Sequence, residues 1–160
     1  MQIKIRKASI TDLDTVVAFV SAMARETEGK ALAPETLTAG VRAVFEDPTK
    51  GTYLIAESDG EPVGGLLITT EWSDWRNAHY WWIQSVFVSP GHRGKGVYRA
   101  LHRHVETMAR SEKGVCGLRL YVDTHNQTAK TVYERLGMAL SGYELYEVSD
   151  MSRGDARHDG

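Results

Sequence analysis

A chain of 160 residues, 42% hydrophobic and 25% charged, with a formal net charge of −2, has the size and composition of one globular domain that needs no disulfide or structural metal. A balance this near neutral excludes a protein whose main work is to track a phosphate backbone, so no nucleic-acid partner is expected. The single Cys116 cannot close an internal disulfide, no CxxC or Cys/His ligand spacing occurs, and no apolar block resembles a leader or a membrane span; a reducing cytoplasm, no metal and no membrane are the expectations.

Strands and helices alternate along the chain. Residues 2–7 alternate apolar and polar as a half-buried strand does. Thr11-Asp12-Leu13-Asp14 resembles a capping box, and Leu13, Val16, Val17, Val20 and Ala24 follow at helical spacing. Pro34 opens a second helix that buries Leu37, Val41, Val44 and Phe45, and Asp47-Pro48 ends it. Residues 52–57 and 63–70 read as strands joined across Ser58-Asp59-Gly60-Glu61-Pro62. An aromatic loop, Glu71 to Ala78, leads to a long strand at 79–89. A helix from about Gly94 to Lys113 carries Val97, Leu101, Val105 and Met108 on one face. Val115 to Val122 is a strand in which Cys116 is expected to be a buried small hydrophobe. A short helix runs from Asn126 to Gly137, and Met138 to Val148 forms a last strand. The order β-α-α-β-β-β-α-β-α-β predicts an α/β fold: a mixed sheet with helices on both faces, in a single domain over 1–148 with a polar tail at 149–160.

The informative stretch is Val86-Phe87-Val88-Ser89-Pro90-Gly91-His92-Arg93-Gly94-Lys95-Gly96-Val97-Tyr98. A strand ends, a turn follows, and a basic, glycine-rich segment opens a long amphipathic helix. Backbone N–H groups at a helix N-terminus carry partial positive charge and suit phosphate oxygens. Gly94 and Gly96 let phosphate approach the backbone, and Arg93, Lys95 and Arg99 add full charges. The spacing is neither a Walker motif nor a dinucleotide fingerprint.

Arg93-Gly94-Lys95-Gly96-Val97-Tyr98 resembles the [Q/R]-x-x-G-x-[G/A] signature of the GNAT superfamily of N-acetyltransferases. Asn126-Gln127-Thr128-Ala129-Lys130-Thr131-Val132-Tyr133-Glu134-Arg135-Leu136-Gly137-Met138 is similar to the family's second motif, and the element order over 2–148 also fits. The resemblance implies a central six- to seven-stranded mixed sheet. It also implies acetyl-CoA as co-substrate, its pantetheine arm between splayed fourth and fifth strands, and an acetyl group passed to a primary amine by direct attack in a ternary complex. The acceptor class spans a small cationic amine and a protein amino group. A second reading is a coenzyme-A-binding regulatory module without turnover.

Carried onto this chain, the resemblance makes Val86, Phe87 and Val88, around a strand distortion, donors to the oxyanion and pantetheine. It makes Arg93, Gly94, Lys95, Gly96, Val97, Tyr98, Arg99 and Asn126 coenzyme contacts, and Tyr133 the general acid for the departing thiolate. Tyr98 stands where the family has Gly or Ala; its ring either crowds the diphosphate or turns away onto the helix flank. The family often draws its base from a strand carboxylate, but Trp82 and Gln84 fill those positions. Glu26, Glu28 and Glu71 are the base candidates, with His79 a fourth; His92, His102 and His104 read as exposed helix or turn histidines. Trp81 and Trp82 must face opposite sides of the sheet, one of them into the core. The other aromatics from Trp72 to Tyr80 suit either an acceptor pocket or a homodimer interface.

Overall fold

The computed structural model describes residues 1–151; the remainder of the expected polar tail, 152–160, lies outside the described residues. The chain divides into two compact units, one from Met1 to Asn126 and one beginning at Gln127. The first contains β1 (Ile3–Lys7), α1 (Leu13–Glu28), α2 (Pro34–Glu46), β2 (Thr52–Ser58), β3 (Glu61–Ser73), β4 (Ala78–Val88), α3 (Val97–Ser111) and β5 (Val115–Leu120). The five strands lie in the order β1-β2-β3-β4-β5, antiparallel except for the β4–β5 pair.

Alternation along the central strands builds a core on each face. From β2, Leu54 and Ala56 join Leu66, Ile68 and Ile83 against Val97, Leu101 and Val105 of α3. Their neighbours Tyr53 and Ile55 pack on the other face with Val16 and Val20 of α1 and Val41 of α2. Trp81 packs on the α3 core, and Trp82 takes the opposite face, as the alternation requires. β2 and β3 are joined by Asp59 and Gly60, both at positive φ, a two-residue hairpin of the type that matches strand twist.

The structure revises several boundaries. The capping carboxylate is Asp12, but its partner is Ser9, whose N–H donates at 2.8 Å. Arg6 grips the same carboxylate through bonds of 2.8 and 2.9 Å and also bonds Glu57 across to β2. The guanidinium holds the Asp12 carboxyl below its ordinary value. Residues 71–73 and Ala78 are not loop: the β3–β4 ladder continues through Trp72↔His79 to Ser73↔Ala78, because pairing with β4 satisfies their backbone groups. Helix α3 starts at Val97, since Gly94 and Gly96 both have positive φ and break the helical path before it. Cys116 is exposed, its thiol donating to the His79 carbonyl at 3.3 Å. His102 is not exposed but 1% accessible, because residues 98 and 102 flank the 97–101–105 stripe and α3 lies deep enough to cover that flank.

In the second unit, α4 (Gln127–Arg135) ends at Gly137, whose φ of 93° allows paired terminal bonds. The Gly137 N–H donates to the Glu134 carbonyl and the Met138 N–H to the Tyr133 carbonyl, each at 3.0 Å. The strand expected at 138–148 is not formed among the described residues, so the sheet has five strands instead of six or seven. Apolar alternation marks a face, but a strand exists only where a second backbone pairs with it. Leu140, Tyr143, Leu145, Tyr146 and Val148 are exposed.

Candidate functional site

Strand β4 changes character halfway along its length. Its ladder with β3 runs regularly from Ala78 to Gln84, then slips, so that Leu67↔Gln84 is followed by Gly65↔Phe87. One extra residue is accommodated on β4, and Ser85, at φ 50°, takes the bend. The slip reverses the faces. Without it Ile83 and Phe87 would share a side; with it Val86 and Val88 join Ile83 on the α3 core, while Phe87 packs on Phe19 of α1 with ring centroids 5.0 Å apart. The parallel pairing with β5 ends at Ile83↔Leu120. From Gln84 onward, β4 therefore has no strand on its β5 side among the described residues. The expected distortion near Val86 and Val88 is present, centred on a serine for which the sequence holds no glycine signal.

Directly after β4, a single 3₁₀ turn (Pro90–His92) leads into the glycine segment. Gly94 and Gly96 have φ of 73° and 82°, and a Cβ built on either would meet no atom within 4 Å. The turn is open to approach from outside, and no side chain caps α3 at Gly96. The N–H groups of Val97, Tyr98 and Arg99 precede the first intrahelical bond, made by the Ala100 N–H to the Gly96 carbonyl. A diphosphate fits such a turn on its chemistry: backbone donors, a helix dipole and flanking cations. Val97 is buried beneath it, while Lys95 and Arg99 are exposed.

Arg93 is tied down. Its Nε donates to the Val88 carbonyl at 2.8 Å, its Nη2 to Glu26 at 2.6 Å, and the guanidinium lies 5.8 Å from the Phe87 ring centroid. The structure thus joins Glu26, at the end of α1, to the glycine turn. Glu28 instead lies on the surface, 3.9 Å from Lys30. Tyr98 turns away from the glycines: its ring packs against the α3 core and its hydroxyl lies 3.2 Å from Nδ1 of His102. Asn126 is exposed, its N–H donating to the Asp123 carbonyl.

Glu71 belongs to a different cluster, on the sheet face away from α3. Register places Thr69, Glu71, Tyr80, Trp82, Gln84, Gly117 and Arg119 on this one face. The Glu71 carboxylate accepts from Trp82 Nε1 and from Arg119, each at 2.9 Å. These bonds, the indole's above all, hold its carboxyl below the ordinary carboxylate value despite some desolvation. The Arg119 guanidinium lies 3.5 Å from the Tyr80 ring centroid. Gly117 makes room for that ring, since a Cβ there would come within 2.9 Å of it. Trp82 and Tyr121 lie 4.7 Å apart and Gln84 donates to Thr69, whereas Trp72 and His79, edge-on at 4.8 Å, pair on the opposite face. Tyr80 was among the aromatics expected to suit an acceptor pocket or a homodimer interface, whereas Arg119, Thr69 and Gly117 were not among the sequence-derived candidates; a glycine inside a strand pattern is the one signal that marks the crowding.

Tyr133 lies on α4 in the second unit, where burial pushes its phenol above the ordinary value.

Comparison with known proteins supplies independent information. A sequence model described as the Acetyltransferase (GNAT) family matches residues 15–138. A streptothricin acetyltransferase of Streptomyces lavendulae is 36% identical over 104 residues, which cover 64% of this chain and 52% of that protein. Another, of Escherichia coli, is 33% identical over 88 residues, covering 55% and 47%. The matched region thus spans about half the length of these relatives. Among solved structures, a possible acetyltransferase from Clostridium difficile 630 superimposes with a TM-score of 0.87 at 39% identity, covering 94% of this chain and 99% of that one.

Proposed function

The chain belongs to the GNAT acetyltransferase family, and from that premise we propose that it transfers an acetyl group from acetyl-CoA to the primary amine of a small cationic acceptor. The observation that carries this reading is the open Gly94–Gly96 turn at the foot of α3, directly after a strand that is bulged at Ser85 and, among the described residues, has no partner strand on its β5 side beyond Ile83. Turn and strand place backbone donors in sequence along one path, as a phosphate-bearing arm ending in a thioester requires.

In this reading the turn and the first N–H groups of α3 hold the diphosphate, with Arg93, Lys95, Arg99 and Asn126 around it. The backbone beyond Ser85, at Val86 to Val88, receives the thioester carbonyl, whose oxygen gains negative charge as the amine nitrogen attacks. The C–N bond forms, the C–S bond breaks, and the leaving thiolate takes a proton from the general acid, the role that the family resemblance assigns to Tyr133. The acceptor lies against the face carrying Glu71, Tyr80, Trp82 and Gln84. The Trp82 and Tyr121 rings there offer an aromatic surface to a cation, which would share the Glu71 carboxylate with Arg119, and the streptothricin acetyltransferases are similar proteins whose name specifies a small-molecule acceptor. Glu26 acts chiefly by steadying Arg93. Glu26, Glu28 and Glu71 remain the carboxylates through which the ammonium proton leaves by way of water.

The experiment is thermal denaturation with and without coenzyme A, followed by thiol release from acetyl-CoA across a panel of amines that includes streptothricin. Coenzyme A raises the melting temperature by mass action, Gly96→Trp abolishes the rise, and at least one cationic amine supports thiol release. No shift at millimolar coenzyme A would sink the proposal. A shift with no turnover on any amine would favour the coenzyme-binding module, a reading supported by the lack of a carboxylate among Tyr80, Trp82 and Gln84 on β4.

A further inference from the structure

We propose that His102 is a positioning residue for coenzyme binding: by holding the Tyr98 hydroxyl it keeps the Tyr98 ring along the flank of α3 and off the Gly94–Gly96 turn. The inference rests on the reading of that turn as the diphosphate cradle.

Tyr98 is the second residue of α3, two positions beyond Gly96. Long side chains on a helix lean toward its N-terminus and cover the turn before their own Cα. For Tyr98 that turn is the glycine segment, so an unrestrained ring would sweep the space where phosphate oxygens must approach. The observed ring does not lie there. It packs on the α3 core, its hydroxyl 3.2 Å from Nδ1 of the residue one helical turn further on, with the two rings 5.8 Å apart.

The restraint is built from behind. His102 is 1% exposed, and its Nε2 lies 3.0 Å from the Glu106 carboxylate, which Arg103 also contacts at 3.0 Å. A carboxylate only accepts, so Nε2 carries the proton, Nδ1 of the neutral ring is an acceptor, and the Tyr98 hydroxyl must donate to it. Burial favours that neutral ring, against the pull of Glu106 toward the charged form. Arg103, Glu106, His102 and Tyr98 thus form a column along α3 in which each group fixes the next. An aliphatic residue at 102 would fill the core without the cost of burying an imidazole. What the imidazole adds is an acceptor aimed at Tyr98.

The test is calorimetric titration of the full-length protein with coenzyme A, with melting temperature confirming each variant's fold. Tyr98→Phe and His102→Leu each weaken coenzyme A binding by about tenfold, since the ring is released toward the turn. His102→Asn, which keeps an acceptor near Nδ1, stays within about threefold of wild type. Tyr98→Ala in the His102→Leu background restores affinity, because no ring remains to restrain. With an identified acceptor, the single variants raise KM for acetyl-CoA and leave kcat nearly unchanged. Wild-type affinity in folded His102→Leu overturns the proposal, as does a loss that Tyr98→Ala fails to relieve. Should His102→Leu not fold, Tyr98→Phe decides alone, and affinity equal to wild type overturns the inference. Failure of the wild type itself to bind coenzyme A would instead remove the donor reading on which this one stands.

Discussion

The two faces of β3 and β4 are built from adjacent residues of the same strands, yet they differ in kind. Toward α3, Leu66, Ile68 and Ile83 are at most 4% exposed and meet Val97, Leu101 and Val105, none above 2%. On the other side, Glu71, Tyr80, Trp82 and Arg119 form a partly open network of charges and rings. The first face contributes apolar burial, at roughly 1.5–3 kcal/mol for each fully buried aliphatic side chain. The second contributes little of that and keeps its polar groups paired with one another, accessible, and fixed in direction. A sheet can therefore carry stability and recognition on opposite sides of one backbone, with the period of two keeping them apart.

The strongest way to test that division is to damage the closed face. Leu101→Ala, at a position with no exposure, should cost about 3 kcal/mol in denaturant unfolding while leaving KM for the acceptor unchanged. A KM change of similar size would show that the faces are coupled. Next in magnitude, Glu71→Gln should raise KM for a cationic acceptor by about tenfold and leave the melting temperature nearly where it was, because the carboxylate is exposed and its ion pair is of the kind that contributes little stability. Parallel pH–rate profiles of Glu26→Gln and Glu28→Gln would show which carboxylate takes the proton; profiles like wild type in all three variants would clear them together.

The smallest effect is in pH. His102 has a folded pKa below its ordinary value of 6.5, chiefly through burial. Its contribution is complete above 6.5 and is lost as pH falls from there toward the folded value, since the unfolded chain binds the proton first. Asp12 is likewise held below its ordinary 3.8 by Arg6, so its contribution is complete above that value and goes as pH falls below it. The melting temperature should therefore decline in two stages on acidification. His102→Asn should flatten the earlier stage alone.

What the sequence made legible was local. The glycines before α3, the Asp59-Gly60 hairpin and the alternation separating Trp81 from Trp82 are short-range signals, and each was found in place. The bulged strand end, the glycine turn and the start of α3 could be read for the same reason, since they follow one another directly. What escaped depended on partners remote in the chain. Glu71 and Trp72 looked like loop until His79 and Tyr80 paired with them, and the bond between Glu26 and Arg93, 67 residues away, has no signal in the sequence around either residue. Ser85 gave no warning of its positive φ, because the bulge is a property of two strands in register. His102 read as surface because its burial is satisfied by residues on its own helix, a pattern that composition does not reveal.

The bond from the Trp82 indole to Glu71 also has an optical and magnetic consequence. All four tryptophans lie between residues 72 and 82, and Trp82 Nε1 donates to a carboxylate that its surroundings keep ionised. Its indole proton is thereby shifted in magnetic resonance spectra, and its ring fluoresces in the field of a fixed negative charge. Titrating a ligand that draws Glu71 away would move one indole resonance out of four and change the emission, so this face carries its own label for following an acceptor without dye or isotope on the ligand.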